Sequence, residues 1–184
     1  MARLNRSDIR ARLRVAAAAA ALLLPLLWGG CNTSGCLENQ SAIPLAGFYS
    51  SATGEAATLN ILRIHGVGAP GDSAILASGT AANQVYLPMR STATSTEWCI
   101  AYTQQGIDKP EFNDTITFRY SSIPYFASEE CGAMYYYRIS SVETSTNLID
   151  SVTVVDSLVT NADRISFKIY FRIGDEPSDP DIAI

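Results

Sequence analysis

Four cysteines carry the most legible chemistry in this sequence, and the first, Cys31, sits where a thiol is prepared for lipid. It follows Gly29-Gly30, and small residues ahead of a cysteine let a lipoprotein signal peptidase seat the strand and cut before the thiol. Trp28 stands where such patterns carry a smaller aliphatic residue, which keeps Cys36 open as the alternative lipid site. With Cys31 acylated, three thiols remain and allow three pairings. Cys99 lies in Trp98-Cys99-Ile100-Ala101-Tyr102, on the face opposite Trp98, Ile100 and Tyr102, and reads as a small residue packed inside a strand. Cys131 follows Glu129-Glu130 and precedes Gly132, in a turn that a tether cysteine can reach. The pairing we expect is Cys36 with Cys131. In the chain-entropy model so long a loop contributes about 4–5 kcal/mol, less any native strain.

The remaining search for catalytic chemistry is largely negative. His65 is the only histidine, so no multi-histidine site can form, and its place at a strand end beside Gly66 suits a structural or solvent-facing role. There is no Gly-x-Ser-x-Gly elbow, no Cys-x-x-Cys and no phosphate-binding glycine loop. Glu97, Glu129, Glu130 and Glu143 could supply a glycosidase pair, yet acids are plentiful in an acidic chain and availability selects none of them. We therefore expect no enzyme, no catalytic residue, no metal and no cofactor. The acidic tail after Gly174 lacks the glycine-containing repeat of acids that a calcium loop needs. Aromatic residues are the remaining candidates for binding: Tyr125-Phe126, read as a loop, and Tyr135 and Tyr137, which share one face of a strand while Tyr136 takes the other. Exposed tyrosines stack on sugars or anchor a partner protein, and buried ones fill a core.

These residues need a scaffold, and the N-terminus says where it is delivered. Met1 to Arg14 holds five arginines against one acid, and Val15 to Trp28 is an apolar run of 14 residues. That is the length of a secretory core, where a spanning helix needs about 20 residues. Residues 1–30 thus read as a lipoprotein signal peptide, the alternative being a buried helix that leaves the basic preface unexplained. Beyond them lie eight bases and 17 acids, a net charge of −9. A chain this acidic lacks the clustered cations that face phosphates, so nucleic acid is excluded as a partner. Residues 31–41 form a polar lipidated tether, 42–173 one β-domain, and 174–184 an acidic flexible tail.

Within the domain the pattern has period two. Ile116, Phe118 and Tyr120 alternate with Thr115, Thr117 and Arg119, and Ile165, Phe167, Ile169 and Phe171 alternate with Ser166, Lys168, Tyr170 and Arg172. Further strands are expected at 46–51, 58–65, 73–78, 84–89, 96–103, 134–142 and 148–155. Gly66 to Asp72 has three glycines and a proline, enough to reverse the chain into a hairpin. About nine strands without intervening helices predict an all-β fold, an antiparallel β-sandwich with the immunoglobulin arrangement as a candidate, in preference to a closed barrel.

The strings Glu38 to Ser50, Gly66 to Ser73, Gln84 to Pro88, Asp114 to Phe118, Glu130-Cys131-Gly132 and Leu148 to Val152 occur in one order along the domain. In them the chain resembles an uncharacterised group of Bacteroidota lipoproteins, catalogued only as a domain of unknown function. The resemblance implies a source in that phylum, an envelope location on the outer membrane, Cys36 and Cys131 as part of the family pattern, and Cys99 as a departure from it. It supplies no activity. It also suggests an outer-membrane β-barrel protein as a partner, beside the lipid bilayer reached through acylated Cys31. Asn32-Thr33-Ser34 lacks the acidic run associated with surface export in this phylum, which favours the periplasmic side. Two functions follow as expectations: an envelope interaction module, requiring an exposed apolar patch or sheet edge, and a carbohydrate or small-ligand binder, requiring a concave aromatic platform.

Overall fold

A computed structural model describes residues 42–128 and 132–173. Cys31, Cys36 and Cys131, with the lipidation and disulfide expected of them, lie outside the described residues, as do residues 1–41 and 174–184.

The alternating segments form ten strands: β1 (Leu45–Ser50), β2 (Leu62–Gly66), β3 (Ala74–Leu76), β4 (Gln84–Tyr86), β5 (Ser95–Tyr102), β6 (Asp114–Ser128), β7 (Gly132–Thr144), β8 (Ile149–Val154), β9 (Leu158–Val159) and β10 (Ile165–Phe171). They make two sheets, ordered β4-β1-β10-β8 and β3-β2-β5-β6-β7-β9. The all-β sandwich is thus what the alternation implies, with one strand more than expected because β9 is only two residues long. Pairing is antiparallel except between β1 and β10, which run parallel in register from Ala46↔Phe167 to Ser50↔Phe171. The expected turn at 66–72 does reverse the chain, joining β2 to its antiparallel neighbour β3.

Burial follows the pleat. In β5, Thr96, Trp98, Ile100 and Tyr102 are buried while the residues between them are half-exposed. The inward faces meet in a core centred on Phe48, Leu62, Ile64, Ile100, Ile116, Phe118, Ile149, Phe167, Ile169 and Phe171. Phe118 of one sheet packs on Phe167 of the other with ring centroids 4.5 Å apart, and Phe48 meets Phe171 edge to face at 5.6 Å. Such pairs add about 0.5–1.5 kcal/mol to the burial of their area.

The two sheets are unequal in reach. β5 pairs with β6 only as far as Ser95↔Arg119, whereas β6 continues to Ser128 with β7 beside it. A bulge accompanies the departure: Arg119 opposes Ser141 and Tyr120 opposes Ile139, leaving Ser140 as the extra residue, its hydroxyl donating to the Arg119 carbonyl. Bulges raise local twist and re-aim a strand. On the far side β9 pairs with β7 only at Tyr137 and Arg138. Among the described residues, the hairpin beyond these positions is an arm with no pairing strand on either side.

Candidate interaction surface

Tyr125 and Phe126 do not lie on a loop: both belong to β6, opposite Met134 and Ala133 of β7. Pro124, just ahead of them, suits a loop in the sequence. Pro124 nevertheless fits the strand because this stretch of β6 has left β5, and an edge position requires no N–H for a neighbour. Being consecutive in a strand, Tyr125 and Phe126 point to opposite faces of the arm. Tyr125 stacks on Tyr136, centroids 4.5 Å apart and planes 19° apart, on the face away from the core. Phe126 shares the core-side face with Ala133, Tyr135 and Tyr137, by the register of the two strands. Phe126 is 65% exposed, and Tyr125 and Tyr135 are also exposed.

Tyr137 departs from the expectation of a binding residue: only 6% exposed, it is part of the core. Its ring meets Tyr120 edge to face at 5.4 Å, and its hydroxyl donates to the Met89 carbonyl at 3.3 Å. The physical reason is position along the hairpin. Tyr137 lies where the second layer still covers the sheet, and Tyr135, one pleat further out, lies where the cover ends. The four aromatics therefore cannot form one platform. Tyr135 and Tyr137 do share a cleft of about 410 Å³, lined also by Ala42, Ile43, Pro88, Met89, Ser91, Ala133 and Met134. Among the described residues no charged side chain lines it.

The other residues with chemical potential are dispersed. His65, at the end of β2, is half-buried with its Nδ1 accepting from the Arg63 guanidinium at 3.1 Å. It faces Cys99 across the β2–β5 pair, and Cys99 is half-buried on the face opposite Trp98, as its sequence context implied. Glu97 and Glu143 stand in one row across the outer face, each opposite Thr117. Two strand spacings, about 10 Å of backbone, separate them on an open sheet. Arg119 pairs with Glu143 at 3.3 Å in solvent. Glu129 and Glu130 lie outside the described residues. Among the described residues no three His, Cys, Asp or Glu side chains are grouped to hold a metal ion.

One functionally placed side chain escaped the sequence reading. Asp114, the first residue of β6, is completely buried. Its carboxylate accepts from Tyr102 and Ser145 hydroxyls at 2.6 Å each, and from the backbone N–H groups of Asn147, Leu148 and Ile149 at 2.8, 2.8 and 2.9 Å. Burial alone would push the carboxyl up, but the hydrogen bonds from Ser145, Tyr102, Ile149 and Asn147 together outweigh it, so Asp114 titrates below its ordinary range. Tyr102 is held far above its own range, first by burial and then by its hydrogen bond to this carboxylate. Asp114 thereby ties the 145–149 connection to the base of the hairpin. It is a structural anchor, opposite in the chain to the exposed arm.

The model of a family described as a family of unknown function (DUF6452) matches residues 61–171. No curated protein and no solved structure matches the chain.

Proposed function

The chain belongs to this family of unknown function, and on that premise we propose that it is an exported envelope lipoprotein from Bacteroidota, anchored in the outer membrane through Cys31, facing the periplasm and stapled by a Cys36–Cys131 disulfide. Its β-domain acts without catalysis, as an interaction module that docks on another envelope protein through the β6–β7 arm. An outer-membrane β-barrel is the partner class in view.

One observation carries the docking reading: the arm continues the core-facing side of the larger sheet beyond the layer that covers it. Phe126, Tyr135 and Ala133 repeat the position of Tyr120, Tyr137 and Ile139 along the pleat, with the covering layer gone. Apolar side chains left exposed on a strand, where the same face is buried one pleat away, are what a partner's surface completes. The basic, then apolar N-terminus and Gly29-Gly30-Cys31 support the address. The cleft shared by Tyr135 and Tyr137 favours the second reading, a carbohydrate or small-ligand module, although the opposed directions of Tyr125 and Phe126 remove half of its platform.

The test is a cross-linked pull-down of the tagged chain from its native membranes, comparing wild type, Phe126→Ser with Tyr135→Ser, and Cys31→Ala. The docking reading expects one envelope protein enriched by the wild type and lost with the folded arm variant. Equal capture by both would refute the arm as the docking surface, and wild-type behaviour of Cys31→Ala in membrane fractionation would refute the anchor.

A further inference from the structure

The arm has two outer edges, and they are not equivalent. The Tyr120 N–H donates to the Thr94 carbonyl at 2.9 Å, so Tyr120 turns its backbone groups away from β7. Residues along a strand alternate in this respect, and the register from Tyr120 to Phe126 is unbroken. Ser122, Pro124 and Phe126 therefore present their backbone groups to the outer edge of β6. Proline has no N–H, so that edge is interrupted at its middle, a common guard against unwanted pairing. On β7 the Ile139 N–H donates to the Ser157 carbonyl at 2.8 Å, and Tyr137 pairs with Val159 of β9. By the same alternation Ala133 and Tyr135 point both N–H and C=O outward, past the last β9 pair. These groups have no partner among the described residues.

A row of unpaired backbone groups specifies its occupant more narrowly than an apolar face does, because it takes a strand. Charge and size then select which strand. Residues 132–137 read Gly-Ala-Met-Tyr-Tyr-Tyr and carry no charge, in a chain that is strongly acidic beyond residue 30. Two like-charged copies repel over most of their surfaces, and an uncharged edge is where they approach at least cost. Paired with itself in the antiparallel sense about Met134, this stretch sets Gly132 against Tyr136 and Ala133 against Tyr135, small against large each time. Centred on Tyr135 instead, it would oppose two tyrosines and set Ala133 against Tyr137, whose edge β9 already occupies.

We propose that the outer edge of β7 binds a second copy of this chain. The two β7 strands pair antiparallel about a twofold axis at Met134, and Ala133 of each copy exchanges both N–H···O bonds with Tyr135 of the other. Each Tyr135 ring, 42% exposed in the single chain, then lies beside Ala133 of the other copy, on the side of the cleft that Ala133 lines. About five residues a side fall short of the roughly 1,200–2,000 Å² of a standard interface, so the dimer is weak in solution. Confinement of both copies to one membrane, if the chain is anchored as proposed, would raise its population. The dimer uses the edge of the arm and the envelope partner uses its face around Phe126, so either reading can fail alone.

Sedimentation equilibrium of the full-length chain in detergent micelles, with amide hydrogen exchange followed by NMR over the same concentrations, tests this. As concentration rises the chain becomes dimeric and the Ala133 and Tyr135 amides slow together, while the Met134 amide, which faces Tyr125 inside the hairpin, is protected throughout. Ala133→Pro removes one outward N–H from each copy and leaves the β6 ladder intact; it weakens dimerisation about tenfold or more, the loss expected for two hydrogen bonds. Tyr135→Ala weakens it as well, and decides the matter should Ala133→Pro disturb the hairpin and expose the Met134 amide. Phe126→Ser, which the docking reading requires to lose its envelope partner, keeps the dimer. The proposal is overturned if the chain is monomeric at every concentration, or if a dimer forms that neither Tyr135→Ala nor Ala133→Pro weakens. For a monomer, protection of the two amides independent of concentration would assign the edge to a segment of the same chain, and rapid exchange would leave it for a strand of the envelope partner.

Discussion

The two ends of the β6–β7 hairpin are built from the same pair of strands and have opposite physical characters. At the Asp114 end one fully buried carboxylate collects two hydroxyls and three backbone N–H groups. At the far end large rings stand exposed on strands that have no further pairing neighbour among the described residues. The sealed end concentrates buried hydrogen bonds; the open end leaves Tyr125, Phe126 and Tyr135 exposed for recognition. Substitutions along the hairpin should therefore separate stability from binding as a gradient.

The steepest loss belongs to Asp114→Ala, which leaves three backbone N–H groups, that of Ile149 buried, and two hydroxyls without their acceptor. Urea denaturation should show a loss of about 3–5 kcal/mol, and a loss below about 1 kcal/mol would contradict the anchor. The pH dependence sharpens the same point. The folded carboxyl titrates below its unfolded value of about 3.9, so its contribution is complete above that pH and disappears as pH falls through the folded value. The stability difference between wild type and Asp114→Asn should accordingly be constant from neutral pH to about pH 5 and close below pH 4. Tyr102→Phe deletes one charge-assisted hydrogen bond and should cost about 1.5–3 kcal/mol in the same denaturation experiment. Nearer the arm, Tyr137→Phe removes only a long bond to the Met89 carbonyl, and a cost of about 0.5–1 kcal/mol is expected in thermal unfolding. Phe126→Ser, at the open end, should stay within about 0.5 kcal/mol of wild type while abolishing partner capture. A loss of several kcal/mol there would mean that Phe126 is part of the core, and the contrast between the two ends would collapse.

Most of the sandwich could be read from alternation alone because its strands bury one face, and a half-buried strand writes that asymmetry residue by residue: Thr117 against Phe118, Cys99 against Trp98. β9 left no such trace, since two residues cannot show a period. The length of β6 was hidden for a different reason. Ser121, Ser122 and Pro124 are turn formers by composition, and only the early end of β5 makes an edge strand there acceptable. Tyr137 looked equivalent to Tyr135 because period two places both on one face, but where the second layer stops is a property of distant residues such as Met89. Asp114 was the least legible. An aspartate before a strand is ordinary turn chemistry, and its partners at 145–149 lie more than 30 positions downstream. The arm's aromatics were visible as candidates from their clustering; their opposed directions required the strand assignment.

The parallel pairing of β1 with β10 has a consequence for how the domain comes into being. The first strand is flanked by the last, so the smaller sheet lacks an interior neighbour until Ile165–Phe171 has arrived. A chain that emerges N-terminus first can zip β5, β6 and β7 early through local hairpin contacts and bring β4 to β1, while the β1–β10 pairing waits for nearly the full length of the domain. Such high contact order slows folding and postpones closure. If the chain is exported as proposed, that delay keeps it threadable until Ile165–Phe171 has passed, and the topology itself acts as a timer.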